Sequence, residues 1–362
     1  MNKKDMKILV AMSGGVDSSV VAGLLVQEGY EVTGAYMKQW SDTKELSGVC
    51  TWKEDKRDAM RVAAKLDIPF ITLDFEKEYR EWVISYMFSE YEKGRTPNPD
   101  VMCNKYIKFG FWLEKAKEMG YTHMATGHYA ELEERDGMYH LLEAKDTNKD
   151  QTYFLHQLNQ EQLSHTLFPV GKYTKDEVRK LAEEFELPTA KRAESMGICF
   201  VGEVGMKDFL QQKLPVKKGK IVYSDGTVLG DHEGLSFYTI GQRNIGVESS
   251  SLPHQHGENR PLYVVAKNME KNELIVGFDD DPLLFQKEIA LEDMHWISGE
   301  EPKLPFSCEV RLRHRQEKQK TEVIQKDNTF YLQFVTAQRA VTPGQFAVLY
   351  ANGECLGGGV VR

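Results

Sequence analysis

The first third of the chain alternates short apolar runs with stretches in which apolar residues recur at helical spacing. Residues 7–12 form a short β-branched run, and the apolar residues within 18–28 then follow the period of a helix. The alternation continues with strands expected at 31–37, 69–73 and 123–126, and with helices expected at 56–66 and 104–119. This rhythm predicts an α/β domain in which helices cover both faces of a parallel sheet.

The pattern changes after about residue 215, where short β-rich pieces alternate with Gly, Asp and Asn turns. Strands are expected at 220–223, 262–266, 273–276, 346–350 and 355–361. This spacing is typical of small β modules or barrels. We therefore predict three domains: an α/β domain over residues 1–210, a small β-rich central domain over 211–283 and a C-terminal β-barrel over 284–362.

Composition narrows the class of protein. A chain of 362 residues is expected to fill two or three domains. Its longest apolar runs, such as 20–26, are far shorter than the ~20 residues that cross a bilayer, and the apolar stretch 8–12 is too short for a secretory signal. We therefore expect a cytoplasmic protein without a membrane partner. The net charge of −9 gives no general sign of a nucleic-acid partner, which must be sought in local basic patches.

A glycine-rich loop joins the first predicted strand to the first helix, and it reads Ser13-Gly14-Gly15-Val16-Asp17-Ser18-Ser19. Its glycines let the backbone turn tightly, and the free amides at the start of the helix attract phosphate. The Walker lysine and the GxGxxG pattern are both absent. The loop resembles the pyrophosphatase loop of enzymes that split ATP between its α and β phosphates and adenylate a substrate. The alternative is an ordinary glycine-rich turn with Ser as a helix N-cap.

That resemblance predicts an ATP site around the loop. Asp17 would help to hold magnesium pyrophosphate, and Ser13 and Ser18 would donate hydroxyl groups to the phosphates. Met37 would lie against adenine, and Gly127 follows a strand where the backbone passes close to the nucleotide. The predicted nucleotide-binding residues are Ala11, Met12, Ser13, Gly14, Gly15, Val16, Asp17, Ser18, Met37 and Gly127.

The five cysteines are scattered and include no CxxC pair, which argues against a disulfide framework and a four-cysteine zinc site. Cys103 is expected in the first turn of a helix behind a possible Asp100 cap, where the helix terminus and Lys105 favour the thiolate. Cys199 lies between Ile198 and Phe200, which suit a strand or a buried turn. For both cysteines the alternative is a small buried apolar side chain.

Seven motifs along nearly the whole chain resemble the bacterial tRNA-specific 2-thiouridylase family. They are the phosphate loop, Gly94-Arg95-Thr96-Pro97-Asn98-Pro99-Asp100 with Cys103-Asn104, Ala125-Thr126-Gly127-His128-Tyr129, Asn148-Lys149-Asp150-Gln151-Thr152-Tyr153-Phe154-Leu155, Gly197-Ile198-Cys199-Phe200, Thr239-Ile240-Gly241-Gln242-Arg243 and Leu356-Gly357-Gly358-Gly359. Glu194 stands where many relatives have Asp, a change that keeps the carboxylate. The resemblance implies an adenine nucleotide alpha hydrolase-like, Rossmann-like first domain and an enzyme that installs sulfur on a wobble uridine of tRNA.

The resemblance also implies catalytic roles. Cys199 would accept a persulfide sulfur and Cys103 would act as the partner nucleophile, so that their Cα atoms must come within ~7 Å in at least one state. Asp100 is a candidate acid or base, and Asn98, Pro99 and Asp100 would touch the uridine. The implied cofactors are ATP and Mg²⁺, and an iron–sulfur cluster on Cys103, Cys199 and a carboxylate stays an open alternative.

Candidate tRNA contacts come from the resemblance and from charge. The resemblance implies contact through Lys149, Asp150 and Gln151 and through Arg313 and His314. Five cations in 311–320 would lie partly on one face of a strand, with Arg311, Arg313 and Arg315 at alternate positions, and a solvated edge strand is the alternative. Neutralising about five phosphates would lower affinity a few-hundred-fold between 50 and 200 mM salt.

The partners implied are a tRNA with a wobble uridine and, as sulfur donor, a cysteine desulfurase or a sulfur-relay protein, and we expect a monomer. Two rival functions share parts of this pattern. Another ATP-adenylating synthetase with a nitrogen nucleophile would need neither cysteine. A non-catalytic RNA-binding module would keep the basic patches and tolerate the loss of Cys199.

Overall fold

A computed structural model of the chain describes residues 6–39, 51–193, 206–211, 213–248 and 260–362. The first seven strands are β1 Lys7–Ala11, β2 Glu31–Lys38, β3 Phe70–Asp74, β4 His123–Ala125, β5 Glu131–Arg135, β6 Met138–Leu142 and β7 Thr166–Leu167. Five of them form a parallel sheet in the order β3-β2-β1-β4-β7. The predicted parallel sheet is therefore confirmed.

Helices cover both faces of this sheet. They are α1 Val16–Gln27, α2 Thr51–Lys65, α3 (Glu76–Tyr79, Arg80–Ile84 and Ser85–Glu92), α4 (Pro99–Met102, Cys103–Trp112 and Leu113–Glu118), α5 Thr152–Leu155, α6 Gln160–Ser164, α7 Lys175–Glu184 and α8 Met206–Gln211. Strand β1 shows why two layers form, since successive side chains of a strand point to opposite faces. Leu9 packs into the core beneath α3 and α4, whereas Ile8 and Val10 pack into the core beneath α1, α2 and α7.

Helix α4 begins earlier than the sequence predicted. Pro99 occupies its first position, where no amide is lost, and the Asn98 side chain caps the helix by accepting a hydrogen bond from the Val101 amide at 3.4 Å. The expected Asp100 cap is therefore wrong, and Cys103 follows the first turn and is not part of it. Residues 103–112 are wound as a π-helix, a form that often marks functional sites.

The remaining strands form two further β structures. They are β8 Gly219–Tyr223, β9 Val228–His232, β10 Tyr263–Asn268, β11 Glu273–Gly277, β12 Phe285–Trp296, β13 Phe306–Arg311, β14 Gln319–Lys326, β15 Thr329–Arg339, β16 Phe346–Ala351 and β17 Glu354–Val361. The first four make a central sheet in the order β10-β11-β8-β9, and the last six make an antiparallel barrel closed by pairing of β12 with β17. The predicted central β module and C-terminal barrel are confirmed, while the exact domain boundaries stay predictions.

The hairpin β5–β6 joins the barrel to the first domain, a feature that the sequence did not suggest. Strand β6 pairs with β17 through Leu142 with Glu354 and Leu141 with Cys355. The hairpin thereby extends the barrel sheet to eight strands. Within the described ranges no helix is both long and apolar enough to span a bilayer.

Candidate active site

The phosphate loop lies between the carboxyl end of β1 and the start of α1. Gly14 has φ +80°, and a side chain there would overlap the Asp55 carbonyl of α2, so both conformation and space favour glycine. The Ser19 hydroxyl donates to the Gly15 carbonyl at 2.7 Å, and the hydroxyl oxygens of Ser13 and Ser18 lie 3.2 Å apart. The loop is therefore fixed by its own residues.

Gly127 lies directly against this loop, after the end of β4. A Cβ at this position would lie 2.9 Å from the Ser18 amide nitrogen and 3.1 Å from Asp17 Cβ. A glycine therefore allows the two segments to approach, as expected for the crevice at the carboxyl ends of parallel strands. Met37 is buried in the same core as Leu9 and Cys103, and its contact with adenine stays a prediction.

Asp17 is held by two donors that the sequence did not reveal. Tyr129 Oη donates to Asp17 Oδ1 at 2.8 Å, and Lys175 Nζ donates to the same oxygen at 2.6 Å. Tyr129 is buried, and the Lys175 side chain is only 10% exposed. Lys175 begins α7, 158 positions after Asp17, so the loop receives a cation from a distant part of the sheet domain.

Arg192 also supports the loop through its backbone. Its Nη1 donates to the Gly14 carbonyl at 2.8 Å and to Asp58 at 2.9 Å, and its Nη2 pairs with Asp55. Burial raises the pKa of Asp55, against the lowering effect of its hydrogen bond to Arg192. Two carboxylates of α2 therefore pair with the guanidinium that holds the Gly14 carbonyl.

Cys103 is 1% exposed and lies in the core between α4 and the sheet. The neighbouring Lys105 Nζ donates to Gln157 Oε1 at 2.9 Å, and burial lowers the pKa of Lys105. The Lys105 ammonium is therefore engaged by a residue near α5, which weakens the expectation that it activates the thiol. Cys199 lies outside the described residues, so the approach of the two thiols stays a prediction.

The other two cysteines that the structure describes lie in the barrel and have a structural role. Cys308 and Cys355 are buried in the barrel, and burial raises the pKa of Cys308 to about 12 and that of Cys355 well above its ordinary value. Both are therefore expected to stay thiols at neutral pH. Cys50, like Cys199, is not among the described residues.

The segment 94–100, called the base segment below, is held from one side by the central sheet. Lys267 Nζ of β10 donates to the Gly94 carbonyl at 2.7 Å, and the hydroxyl oxygens of Thr239 and Thr96 lie 3.1 Å apart. Burial lowers the pKa of Lys267 to about 8. A side chain on Gly94, which has φ +75°, would overlap Met269.

The barrel holds the base segment from the other side. The Thr96 amide donates to the Pro343 carbonyl at 2.9 Å. Gln345 Nε2 donates to the carbonyls of Thr96 at 2.8 Å and Pro97 at 3.2 Å. The residues predicted to touch the uridine, Asn98, Pro99 and Asp100, therefore follow a segment that both β structures fix, and half-buried Asp100 lies in the first turn of α4.

The loop that carries Lys149, Asp150 and Gln151 is bonded to Tyr129, and the helix that follows it, α5, is bonded to α4. Gln151 exchanges two hydrogen bonds with the Tyr129 backbone, at 3.0 and 2.8 Å. Farther along, Asn104 Nδ2 of α4 donates to the Phe154 carbonyl at 3.0 Å. The predicted tRNA loop is therefore bonded to the residue that holds Asp17, and the helix after it is bonded to the helix that contains Cys103.

Asp150 is buried and its carboxylate is fully engaged within the protein. It accepts hydrogen bonds from the Ala144 amide at 3.1 Å, Thr152 Oγ1 at 2.8 Å and Arg311 Nη1 at 2.7 Å. Half-buried Lys149 and Gln151 flank it. Its position suits a residue that fixes the loop, and a direct contact of Asp150 with tRNA stays a prediction.

The expected basic strand at 311, 313 and 315 is wrong. Strand β13 ends at Arg311, and Arg315 has φ +64° in the turn that follows, so the three side chains share no strand face. Arg311 pairs with Glu143 and Asp150, and Lys318 pairs with Glu143 and Glu309. Charge counting missed these carboxylates because Glu143 and Asp150 lie more than 150 positions away.

Arg313 and His314 contact the interior of the same region. Arg313 Nη2 donates to the Ile240 and Ala340 carbonyls and to Thr342 Oγ1 at 2.8–3.1 Å. The His314 ring lies 4.5 Å from the Phe154 ring, and burial lowers the pKa of His314 to about 4. His314 is therefore neutral at pH 7 and offers hydrogen bonding or stacking in place of charge.

Among the residues that the structure describes, no three His, Cys, Asp or Glu side chains lie close enough to hold a metal ion. Asp17 alone places a carboxylate on the phosphate loop, and both of its donors bind Oδ1. One carboxylate beside a triphosphate is a common arrangement for Mg²⁺, which keeps several waters and takes the remaining oxygens from phosphates. The iron–sulfur alternative depends on Cys199 and stays open.

Comparisons with known proteins agree with this architecture. The family model described as "tRNA methyl transferase HUP domain" matches residues 6–203, that described as "tRNA methyl transferase PRC-barrel domain" matches 207–278, and that described as "Aminomethyltransferase beta-barrel domain" matches 286–361. The sheet, the loop and these matches define a three-part protein built on an ATP-using HUP domain.

Full-length relatives identify the family. The chain is 48% identical to the tRNA-specific 2-thiouridylase MnmA of Shouchella clausii, over 99% of this chain and 97% of the relative. It is 47% identical to the protein of that name in Streptococcus agalactiae serotype Ia, over 99% and 96%. The chain belongs to the tRNA-specific 2-thiouridylase family, whose members are sulfurtransferases.

One solved structure matches about half of the chain at low similarity. The NMN synthetase from Francisella tularensis is 15% identical, with a TM-score of 0.34, over 52% of this chain and 66% of that protein.

Proposed function

We propose that this protein adenylates the C2 oxygen of a wobble uridine in tRNA with ATP and then replaces that oxygen with sulfur, giving 2-thiouridine, AMP and pyrophosphate. The observation that carries the proposal is a continuous set of contacts from the phosphate loop to the predicted tRNA-binding residues. It runs from Asp17 to Tyr129, from Tyr129 to Gln151, and from Asp150 to Arg311. Family membership supports the same activity.

The adenylation step answers a chemical difficulty, because the oxygen on C2 of uracil is a very poor leaving group. Attack of this oxygen on the α-phosphorus of ATP forms an O–P bond and breaks the bond to pyrophosphate. The loop amides and the Ser13 and Ser18 hydroxyls are suited to bind the phosphates. Mg²⁺, held by Asp17 and the phosphates, would supply further positive charge. We assign to Asp100 the role of the base that accepts the proton lost from the uracil ring.

The sulfur step uses the two thiols implied by the family. The terminal sulfur of a persulfide on Cys199 attacks C2, and AMP leaves with the oxygen. The Cys103 thiolate then attacks the Cys199 sulfur, the S–S bond breaks, and its electron pair passes to the sulfur on C2. This leaves 2-thiouridine and a Cys103–Cys199 disulfide, which an external thiol reduces. In the alternative route Cys103 first frees hydrosulfide, which attacks C2.

A base inside the anticodon loop must leave its stack to reach such a site, as base-modifying enzymes require. The base segment, fixed by the central sheet and the barrel, is suited to receive it. We further propose that the protein acts in the cytoplasm as a monomer and receives sulfur from a cysteine desulfurase or a sulfur-relay protein.

The decisive experiment incubates the protein with ATP, an unmodified tRNA transcript and a persulfide donor, followed by mass spectrometry of the digested tRNA. Wild type and the control Cys308→Ala, whose thiol lies in the barrel, should form 2-thiouridine, and Cys199→Ala should form none. Failure of wild type would favour an adenylating synthetase with a nitrogen nucleophile or an RNA-binding module. Full single-turnover thiolation by Asp100→Asn would refute the role given to Asp100.

A further inference from the structure

One peptide unit of the phosphate loop, between Gly14 and Gly15, is held from outside the loop. The Gly15 carbonyl accepts hydrogen bonds from hydroxyls of the loop itself, those of Ser18 at 3.2 Å and Ser19 at 2.7 Å. The Gly14 carbonyl instead accepts from Arg192, 178 positions later in the chain, at 2.8 Å. The direction of this carbonyl therefore depends on a residue that is not part of the loop.

The bond to Arg192 also fixes the direction of the Gly15 amide. The peptide between Gly14 and Gly15 is trans, so its carbonyl and its N–H point in opposite directions. With the carbonyl turned toward the guanidinium, the N–H is turned away from it, where it makes an exposed hydrogen bond of 3.3 Å to the Ser13 hydroxyl. Because Gly15 precedes the first residue of α1, this amide lies at the positive end of a helix, where anions are bound.

Arg192 is unsuited to attract phosphate by its own charge. Its guanidinium pairs with Asp58 at 2.9 Å and with Asp55, two carboxylates one turn apart on α2. A cation that is matched by two anions contributes little positive field to a neighbouring ligand. Asp55 also limits the loop sterically, because a side chain on Gly14 would overlap its carbonyl. Arg192 therefore acts on the loop through geometry, by tying the Gly14 carbonyl to α2.

The backbone of Arg192 is itself anchored. Its amide donates to the Thr189 carbonyl at 2.9 Å, and its carbonyl accepts a hydrogen bond from Arg179 Nη1 of α7 at 3.3 Å. The guanidinium therefore reaches the loop from a fixed point, and the direction of the Gly14 carbonyl is set before a nucleotide binds.

We propose that Arg192 is a positioning residue for adenylation, which holds the Gly14 carbonyl away from the phosphates of ATP and thereby aims the Gly15 amide at them. Arg192 touches neither the nucleotide nor the reacting atoms, and it transfers no proton. A donor that is fixed in advance stabilises the charge that develops on the phosphates without reorganisation during the reaction. Without Arg192 the Gly14 carbonyl is free to turn toward the phosphates, which it would repel. This inference rests on the proposed adenylation activity.

The test compares tRNA-dependent pyrophosphate release from ATP, without a sulfur donor, in wild type and three variants. Arg192→Met keeps an apolar side chain and removes the donor to Gly14, whereas Arg192→Lys keeps one donor for that carbonyl. The matched control is Arg61→Met, which removes an exposed arginine that pairs with the same Asp58 at 3.4 Å. Among the residues that the structure describes, Arg61 has no hydrogen bond to the loop.

Arg192→Met is expected to release pyrophosphate at least about tenfold more slowly at saturating ATP. Removal of one fixed donor typically costs about a hundredfold or more, and a misdirected donor loses part of that factor. Arg192→Lys should recover part of the rate, and Arg61→Met should match wild type. The affinity for tRNA, measured by fluorescence anisotropy, should be unchanged in all three variants, which distinguishes a misdirected loop from a misfolded protein.

A second measurement is independent of tRNA and of the proposed reaction. Inorganic pyrophosphate should raise the thermal midpoint of wild type and of Arg61→Met, and should raise that of Arg192→Met much less, whatever the midpoint without ligand. Equal pyrophosphate shifts and equal release rates in wild type and Arg192→Met would overturn the inference, as would an Arg61→Met as slow as Arg192→Met. Absence of tRNA-dependent release in wild type, with the difference in pyrophosphate shift intact, would instead overturn the proposed adenylation.

Discussion

The phosphate loop and the base segment are built in different ways. The loop is fixed by contacts within the sheet domain, from its own serines, from Gly127, and from Lys175 and Arg192. The base segment receives Lys267 from the central sheet and Gln345 from the barrel. Nucleotide binding is therefore expected to depend on one domain, whereas placement of the uridine depends on three structures meeting correctly.

The largest loss of activity is expected from a change in the phosphate loop, at Gly14. Gly14→Ala adds a methyl group that overlaps the Asp55 carbonyl at a residue with φ +80°, so the loop must shift. We expect tRNA-dependent pyrophosphate release to fall at least about a hundredfold, by the loss of fixed donors to the phosphates.

Gly29→Ala is the matched control for that prediction. Gly29 has φ +84° and no atom near the position of a Cβ, so it reproduces the backbone strain of about 1 kcal/mol without the overlap. It should lower the thermal midpoint slightly and leave pyrophosphate release within about twofold of wild type. Equal losses in both variants would mean that strain alone, and not the approach of α2, explains Gly14.

An intermediate effect is expected at the base segment. Lys267→Met keeps the apolar stem of the side chain and removes the donor to the Gly94 carbonyl, a partly buried hydrogen bond of 2.7 Å. Loss of one such bond leaves a carbonyl unsatisfied at a cost of about 1–3 kcal/mol. We expect the rate of thiolation at saturating ATP to fall about tenfold with the KM for ATP unchanged.

The control for Lys267 is Lys271→Met, which removes the same charge from an exposed position on the β10–β11 hairpin. It should leave both constants as in wild type. A rise in the KM for ATP as large as the fall in rate in Lys267→Met would show that the base segment also affects ATP binding. The proposed division between the phosphate loop and the base segment would then be wrong.

The smallest effect concerns the basic turn at 311–320. The side chains of Arg311, Arg313 and Lys318 are bonded to acceptors. Arg315 and Lys320 are exposed, and their side chains form no hydrogen bond or ion pair with any residue that the structure describes. The double change Arg315→Gln and Lys320→Gln should reduce the slope of log affinity against log salt by about 2, since each phosphate contact contributes about 0.9.

Lys318→Gln, a lysine in the same turn that pairs with Glu143 and Glu309, should leave that slope unchanged. Fluorescence anisotropy with labelled tRNA between 50 and 200 mM salt measures all three proteins. A reduction of the slope by about 1 in Lys318→Gln would show that its ion pairs open to bind phosphate, and the turn would then resemble the basic strand that charge counting suggested.

Patterns of neighbouring residues in the sequence predicted the strands, the helices and the parallel sheet. The bonding partners of single side chains, which lie far away in the sequence, could not be predicted. The alternation of strands and helices predicts the parallel sheet, because strands buried on both faces appear as short apolar runs and the covering helices as apolar residues at helical spacing. Lys175 and Lys267 follow no such pattern, since a single lysine acquires its role only when the fold brings it to Asp17 or to Gly94. The Arg311 expectation failed for the same reason, because its carboxylate partners come from another part of the chain.

The pairing of β6 with β17 has a consequence for how the molecule is assembled during translation. Strand β6 is synthesised more than 200 residues before β17, the strand with which it pairs. The base segment is likewise synthesised more than 200 residues before Gln345, which bonds to it. Pairings between segments so distant in sequence form slowly. Until they form, the unpaired edge of the strand can aggregate with other chains. The nascent sheet domain is therefore expected to expose a strand that chaperones would shield until the barrel emerges.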